Sequence, residues 1–149
     1  MRFRLMVLML AVALPASAHH PFSQYYDASK LETLTGVIAE LRLQNPHVVL
    51  IVDVSSPEAR RGRWGFEGIP PNALSRQGVD LKKKLQPGTQ IAISGWPAKD
   101  PKARMFSGRE ITFTDKSTMA FGPTPEEGDR WSCGDPCPFK YPEVPPPSR

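Results

Sequence analysis

Three histidines stand out in this chain because their positions suggest a metal site. His19 and His20 are adjacent, and His47 is the only other histidine. Imidazole is a borderline ligand that favours Cu²⁺ among the divalent first-row metals. An N-terminal histidine can also offer its α-amine to the same ion, and a second imidazole then completes a T-shaped site, the histidine brace. This chemistry requires His19 to be the first residue of the processed chain.

The segment before the histidines has the pattern of a secretory signal peptide. Two arginines provide positive charge, residues 5–14 are all apolar, and residues 16–18 read Ala-Ser-Ala, the small-residue pattern that signal peptidase cleaves. The apolar run is about half of the roughly 20 residues that a membrane-spanning helix needs. We therefore predict that residues 1–18 are removed after Ala18, which makes His19 the N-terminus of a periplasmic or secreted protein. An uncleaved membrane anchor is the alternative.

The charge of the chain argues against a nucleic-acid partner. Lys and Arg number 19 against 15 Asp and Glu, a net charge of +4, and removal of the two signal-peptide arginines lowers it to +2 (17 − 15). The lysines at 82–84 and the arginines at 60–61 are expected to form a solvated surface. Aromatic residues for base stacking are sparse in the predicted strands. We also expect no membrane span in the mature protein.

Alternating apolar residues predict five strands and hence a small β-barrel. The period of two and the β-branched residues mark strands at 32–43, 47–54, 63–68, 89–96 and 104–115. Gly36 interrupts the first strand and predicts a bend or bulge. Pro70, Pro71 and Gly78 favour a short helix between them. Three strands, a helix and two strands follow the order of an OB fold. We predict a mainly β, OB-fold-like five-stranded barrel with one short helix between strands 3 and 4; an open α+β meander is the alternative.

Composition divides the mature chain into three parts. We predict a lead-in segment at 19–31, the OB-like β domain at 32–116, and a Pro-rich, Cys-containing tail at 117–149. The tail holds 8 of the 17 prolines. Such a composition favours an extended and disordered chain.

The tail also contains the two cysteines of the chain, Cys133 and Cys137. An even pair close in sequence predicts a disulfide in an oxidising compartment. The alternative is a pair of thiolates that binds Cu(I), because the C-x-x-x-C-P spacing resembles that of the Sco-type copper assembly proteins.

Glu67 is the candidate site carboxylate. It follows Trp64 and Phe66 in the third predicted strand and lies on the opposite face from them. We expect Glu67 to pair with Arg76 and to fix the short helix. The functional alternative places its carboxylate in a site near the mouth of the barrel.

Four sequence blocks occur in order along the chain: AHHPF, NPHV, WGFEGIPPNALSRQG and GTQIAISGWPAKD. This ordered set resembles a family of exported bacterial proteins that is a domain of unknown function, number 6152 of that series. The resemblance covers about residues 19–113, and it implies export and a small β domain but no activity. Pro21 replaces a usual serine, Val49 replaces a frequent aromatic residue, and the tail after Thr114 lies outside the pattern.

Motifs of common enzymes are missing from the sequence. It contains no G-x-S-x-G, H-E-x-x-H, P-loop or G-x-G-x-x-G pattern. We therefore predict an exported, non-catalytic binding or accessory protein that binds copper through His19, His20 and His47. The alternative is a metal-free interaction module that binds a partner protein or a small ligand at the barrel mouth. A copper-dependent oxidase is a third hypothesis.

Overall fold

The computed structural model describes residues 20–130, 137 and 139–147. Its strands are β1 (Glu32–Arg42), β2 (Val49–Ser56), β3 (Gly62–Glu67), β4 (Gln90–Pro97), β5 (Met105–Phe113) and β6 (Thr118–Ala120). Its helices are short: α1 (Phe22–Tyr25), α2 (Pro71–Ser75), α3 (Leu81–Lys84) and α4 (Pro125–Gly128), with 3-10 turns at Glu58–Arg60 and Pro101–Ala103. None of the described helices is long and apolar enough to cross a bilayer.

Five of the strands close into a barrel. The sheet order is β3-β2-β1-β4-β5, and a parallel pairing of β3 with β5 joins the two ends of this sheet. The other pairings within the barrel are antiparallel. The predicted mainly β, OB-like barrel is therefore confirmed. Two short helices, α2 and α3, lie between β3 and β4, where the sequence predicts one.

Strand β1 pairs with both β2 and β4, and its pairing with β2 is irregular. Its register with β2 shifts between Thr35 and Gly36 and again between Ile38 and Glu40. A side chain at Gly36 would collide with the backbone oxygen of Asp53. Glycine therefore permits the close approach of the two strands at the bend that the sequence predicts.

The first half of β2, residues 49–52, is buried on both faces, which accounts for its unbroken apolar sequence. Leu50 and Val52 point into the barrel core, whereas Val49 and Ile51 belong to a second cluster with Met105. Tyr141 and Val144 of the tail pack against this second cluster. The outer face of β2 is thus covered by the C-terminal part of the chain rather than by solvent.

The lead-in segment docks against the barrel. Phe22 and Tyr26 pack with Trp96 of β4, and Tyr26 forms a β-bridge with Ala98. The backbone N–H of Asp27 donates to the carbonyl oxygen of Pro97 at 3.0 Å. The segment is expected to be irregular from its sequence, but packing and these bonds give it a helical turn and a fixed position.

The tail is predicted to be extended and disordered, but its described part is packed and contains a strand and a short helix. Strand β6 adds to β5, and α4 begins with a capping box between Thr124 and Glu127. Farther along, Arg42 donates to the carbonyl of Glu143 and Arg63 to that of Pro146, both at 2.8 Å. These bonds satisfy tail carbonyls that a β-sheet would otherwise pair.

Two predictions lie outside what the structure describes. The signal peptide falls in residues 1–19, and the disulfide involves Cys133, which is also outside the described residues. Both remain predictions.

Candidate metal centre

The hairpin of β2 and β3 brings His47 and Glu67 to the same end of the barrel. Val49 lies opposite Glu67 in the antiparallel register, and the N–H of Gly68 donates to the carbonyl of Val48 at 2.8 Å. His47 therefore comes just before β2 at the point where Glu67 ends β3. The His47 ring nitrogen Nδ1 contacts Glu67 Oε1.

The docked lead-in segment supplies the remaining members of the cluster. His20 Nε2 lies 3.2 Å from the same oxygen, Glu67 Oε1. The hydroxyl of Tyr26 donates a hydrogen bond to the other oxygen, Oε2. One carboxylate thus gathers two imidazoles and one phenol from two other parts of the chain, the lead-in segment and the residue before β2.

The cluster is mostly shielded from water. His20 is 7% exposed and Glu67 is 5% exposed, whereas the His47 side chain is 16% exposed. The Phe139 ring of the tail lies against the His20 ring, with a centroid separation of 3.7 Å. Tyr25 meets His20 edge-on at 5.0 Å. His47 is therefore the member of the cluster nearest to solvent.

The surroundings of Glu67 keep it ionised. Burial alone would raise its pKa, but hydrogen bonds and positive charge from His20 and His47 lower it to about 2. Burial raises the pKa of Tyr26 well above its usual value of 10.0, and the Glu67 charge raises it further. At neutral pH the carboxylate is charged and the phenol is protonated, so the phenol acts as a donor.

These residues offer a set of donor atoms that suits a transition metal. One ligand atom from each of His20, His47 and Glu67 lies within 4.8 Å of the others. Two imidazoles and one carboxylate bind zinc in catalytic sites and non-haem iron in oxygenases. A hydrogen bond to the second carboxylate oxygen, such as that from Tyr26, orients a ligand of this kind.

The cluster differs from the set predicted from the sequence. His20 approaches His47, while His19 lies outside the described residues. Glu67 contacts the two histidines and Tyr26, where the sequence suggests Arg76 as its partner. The sequence gives no signal for Tyr26, because this tyrosine stands in an irregular segment of mixed polar and aromatic residues. The hairpin register, which places Val49 opposite Glu67, is the signal that could have linked His47 to Glu67.

Together, the fold and the cluster define a small closed β-barrel protein with a buried His-His-Glu group at one end. Residues 7–107 match the sequence model described as "Family of unknown function (DUF6152)", and the chain belongs to this family. Searches of curated proteins and of solved structures find no match.

Proposed function

We propose that this protein binds one divalent transition-metal ion through His20, His47 and Glu67. The observation that supports it is the convergence of three ligand atoms within 4.8 Å in a largely buried group. The carboxylate is ionised at neutral pH, because its pKa is lowered to about 2.

Copper is the metal that we propose. Cu²⁺ binds most tightly of the divalent first-row ions to a given set of nitrogen and oxygen donors. Export of the chain and cleavage after Ala18 belong to the same proposal, since they would place a free α-amine one residue from His20. The described cluster already has three donors without this amine, so copper binding does not require it.

Calorimetry on the chain that begins at His19 tests the proposal. We expect one Cu²⁺ per chain, bound more tightly than Zn²⁺, at a pH above the ordinary imidazole pKa of about 6.5. His47→Ala and Glu67→Gln should each weaken binding by more than about 100-fold, beyond the loss expected when only an outer-shell partner is removed. Absence of stoichiometric binding to the unmodified chain would reject the proposal.

A matched control separates this site from surface binding. Asp53 is a carboxylate on the neighbouring strand β2, and its partner is Arg63 rather than a histidine. Asp53→Asn should leave copper binding unchanged. A chain extended by one residue before His19 should also keep its copper if the described cluster suffices, and should lose it if the α-amine is an essential ligand.

A metal-free role has its own support. No buried side-chain nitrogen or oxygen in the described residues lacks a hydrogen-bond partner. The cluster could therefore serve only to fasten the lead-in segment to the barrel, in an interaction module that binds a partner protein or a small ligand. In that case His20→Ala would destabilise the fold, and the unmodified chain would bind no metal.

A further inference from the structure

A small cavity adjoins the candidate metal centre. Its volume is about 70 Å³, enough for more than one water molecule. His20, His47, Glu67 and Tyr26 line one side of it. Its remaining wall is formed by Phe22, Gly68, Ile69, Pro70, Ser107, Pro123 and Gly128.

We propose that this cavity is the binding site for a small exogenous anion that coordinates the metal directly. This inference rests on the proposed function. Three protein ligands leave at least one position free in a four-coordinate site, and an outside ligand can occupy it. The chemical class is a monodentate anion of two or three heavy atoms, for which azide is the probe.

The residues around the cluster leave the cavity as the side from which an outside anion would reach the metal. Phe139 covers His20 on the side of the tail, and Tyr26 occupies the second oxygen of Glu67. The cavity, by contrast, contacts all three candidate ligands at once. A ligand in the cavity would therefore reach the metal without displacing either aromatic ring.

The wall of the cavity selects for size and polarity. Among the described residues that line the cavity outside the cluster, Ser107 has the one polar side chain, and Ser107 is 4% exposed. An apolar wall cannot replace the hydration shell of a large, highly charged ion such as phosphate. A small ion whose charge is neutralised by the metal, and whose far end can accept a bond from the Ser107 hydroxyl, matches this wall.

Azide titration of the copper-loaded chain tests the inference. We expect a saturable azide-to-copper charge-transfer absorption with one azide per copper, and a matching change in the paramagnetic resonance spectrum. Phosphate should not compete. Ile69→Phe fills the cavity and should weaken azide binding at least about tenfold, the scale on which a pocket rejects added bulk, while copper remains bound.

Val37→Phe is the matched control, because Val37 is 41% exposed and the same side chain is introduced there outside the cavity. It should bind azide as the unmodified chain does. If Ile69→Phe fails to fold by circular dichroism, Ser107→Val serves instead. It replaces the hydroxyl with a methyl group and adds a second methyl, in a strand that accepts β-branched residues.

The outcomes separate this inference from the proposed function. If copper binds but azide does not, or if azide binds equally well to the cavity-filling variant, the cavity is not the ligand site and the metal proposal survives. If no copper binds to the unmodified chain, the proposed function fails first, and the inference fails with it.

Discussion

The hairpin of β2 and β3 carries two carboxylates, Asp53 and Glu67, whose partners and exposure to water differ. Asp53 and Arg63 face each other across the strands, joined by two hydrogen bonds of 2.7 Å. At the end of the same hairpin, Glu67 is shared by His20 and His47. The Asp53 side chain is 46% exposed, whereas that of Glu67 is 6% exposed.

The difference shows that two carboxylates of one hairpin can have different roles: Asp53 holds the strands together, and Glu67 forms part of a candidate metal site. Arginine stays charged at every physiological pH and fits a carboxylate with two parallel bonds. Its pair with Asp53 is partly screened by water, because the Asp53 side chain is 46% exposed and that of Arg63 is 12% exposed. We therefore expect it to add less stability than a fully buried group. Imidazoles exchange protons near neutral pH and bind metals. Removing water from Glu67 makes its interactions strong and costly to break.

The largest effect is expected from Glu67→Gln. The amide keeps the shape of the side chain, but it removes the charge and presents a donor to one of its partners. Loss of one member of a buried ionic group costs about 4 kcal/mol in the free energy of unfolding. Urea unfolding of the metal-free protein, with a chelator present, measures this cost. A loss in the free energy of unfolding smaller than that of Asp53→Asn would show that the buried group does not stabilise the fold.

The second-largest effect is expected from acid, which should weaken the buried group around Glu67. The pKa of Glu67 is lowered from 4.5 to about 2 in the folded protein. A lowered pKa contributes stability that is present above the unfolded value and lost as the pH falls through the folded value. The free energy of unfolding should therefore drop by about 3 kcal/mol more in the unmodified protein than in Glu67→Gln between pH 4.5 and pH 2. Parallel pH profiles of the two proteins would contradict the assignment.

Tyr26→Phe should have an intermediate effect. The change removes the hydroxyl that donates to Glu67 Oε2 and keeps the ring packed with Phe22 and Trp96. A hydrogen bond to a charged group contributes about 2 kcal/mol. Thermal or urea unfolding measures the loss, and copper affinity should fall by about tenfold because the carboxylate is less well oriented. Tyr25→Phe, which keeps the neighbouring ring, is the control.

Asp53→Asn should have the smallest effect. An ion pair that is partly open to water, as this one is, contributes about 1 kcal/mol or less to stability, and high salt should reduce the difference from the unmodified protein further. Urea unfolding at two salt concentrations checks both statements. A loss as large as that of Glu67→Gln would remove the distinction between the two pairs.

The barrel could be predicted because its signals are local. Alternation in β1, the β-branched run of β2 and the prolines before α2 each indicate an element from a few neighbouring residues. The order of these elements then limits the topology to a few choices. The histidines and Glu67 of the cluster could each be identified from the sequence as a candidate ligand, because few residue types bind metals.

Their assembly could not be predicted, because it depends on contacts between distant parts of the chain. Nothing in the local sequence of His20 indicates that Phe22 and Tyr26 pack on Trp96 and hold the segment beside Glu67. The tail shows the same limit. Its prolines favour extension, but the two arginines that bind its carbonyls lie on β1 and β3.

The order in which the chain is synthesised determines when Phe139 can cover His20. A chain grows from its N-terminus, so His20, His47 and Glu67 all exist before the ring that covers His20 is added. A chain that ends early, or one whose tail is cut by a protease, would keep all three side chains and lose this cover. His20 would then lose its cover in a molecule whose barrel is otherwise complete.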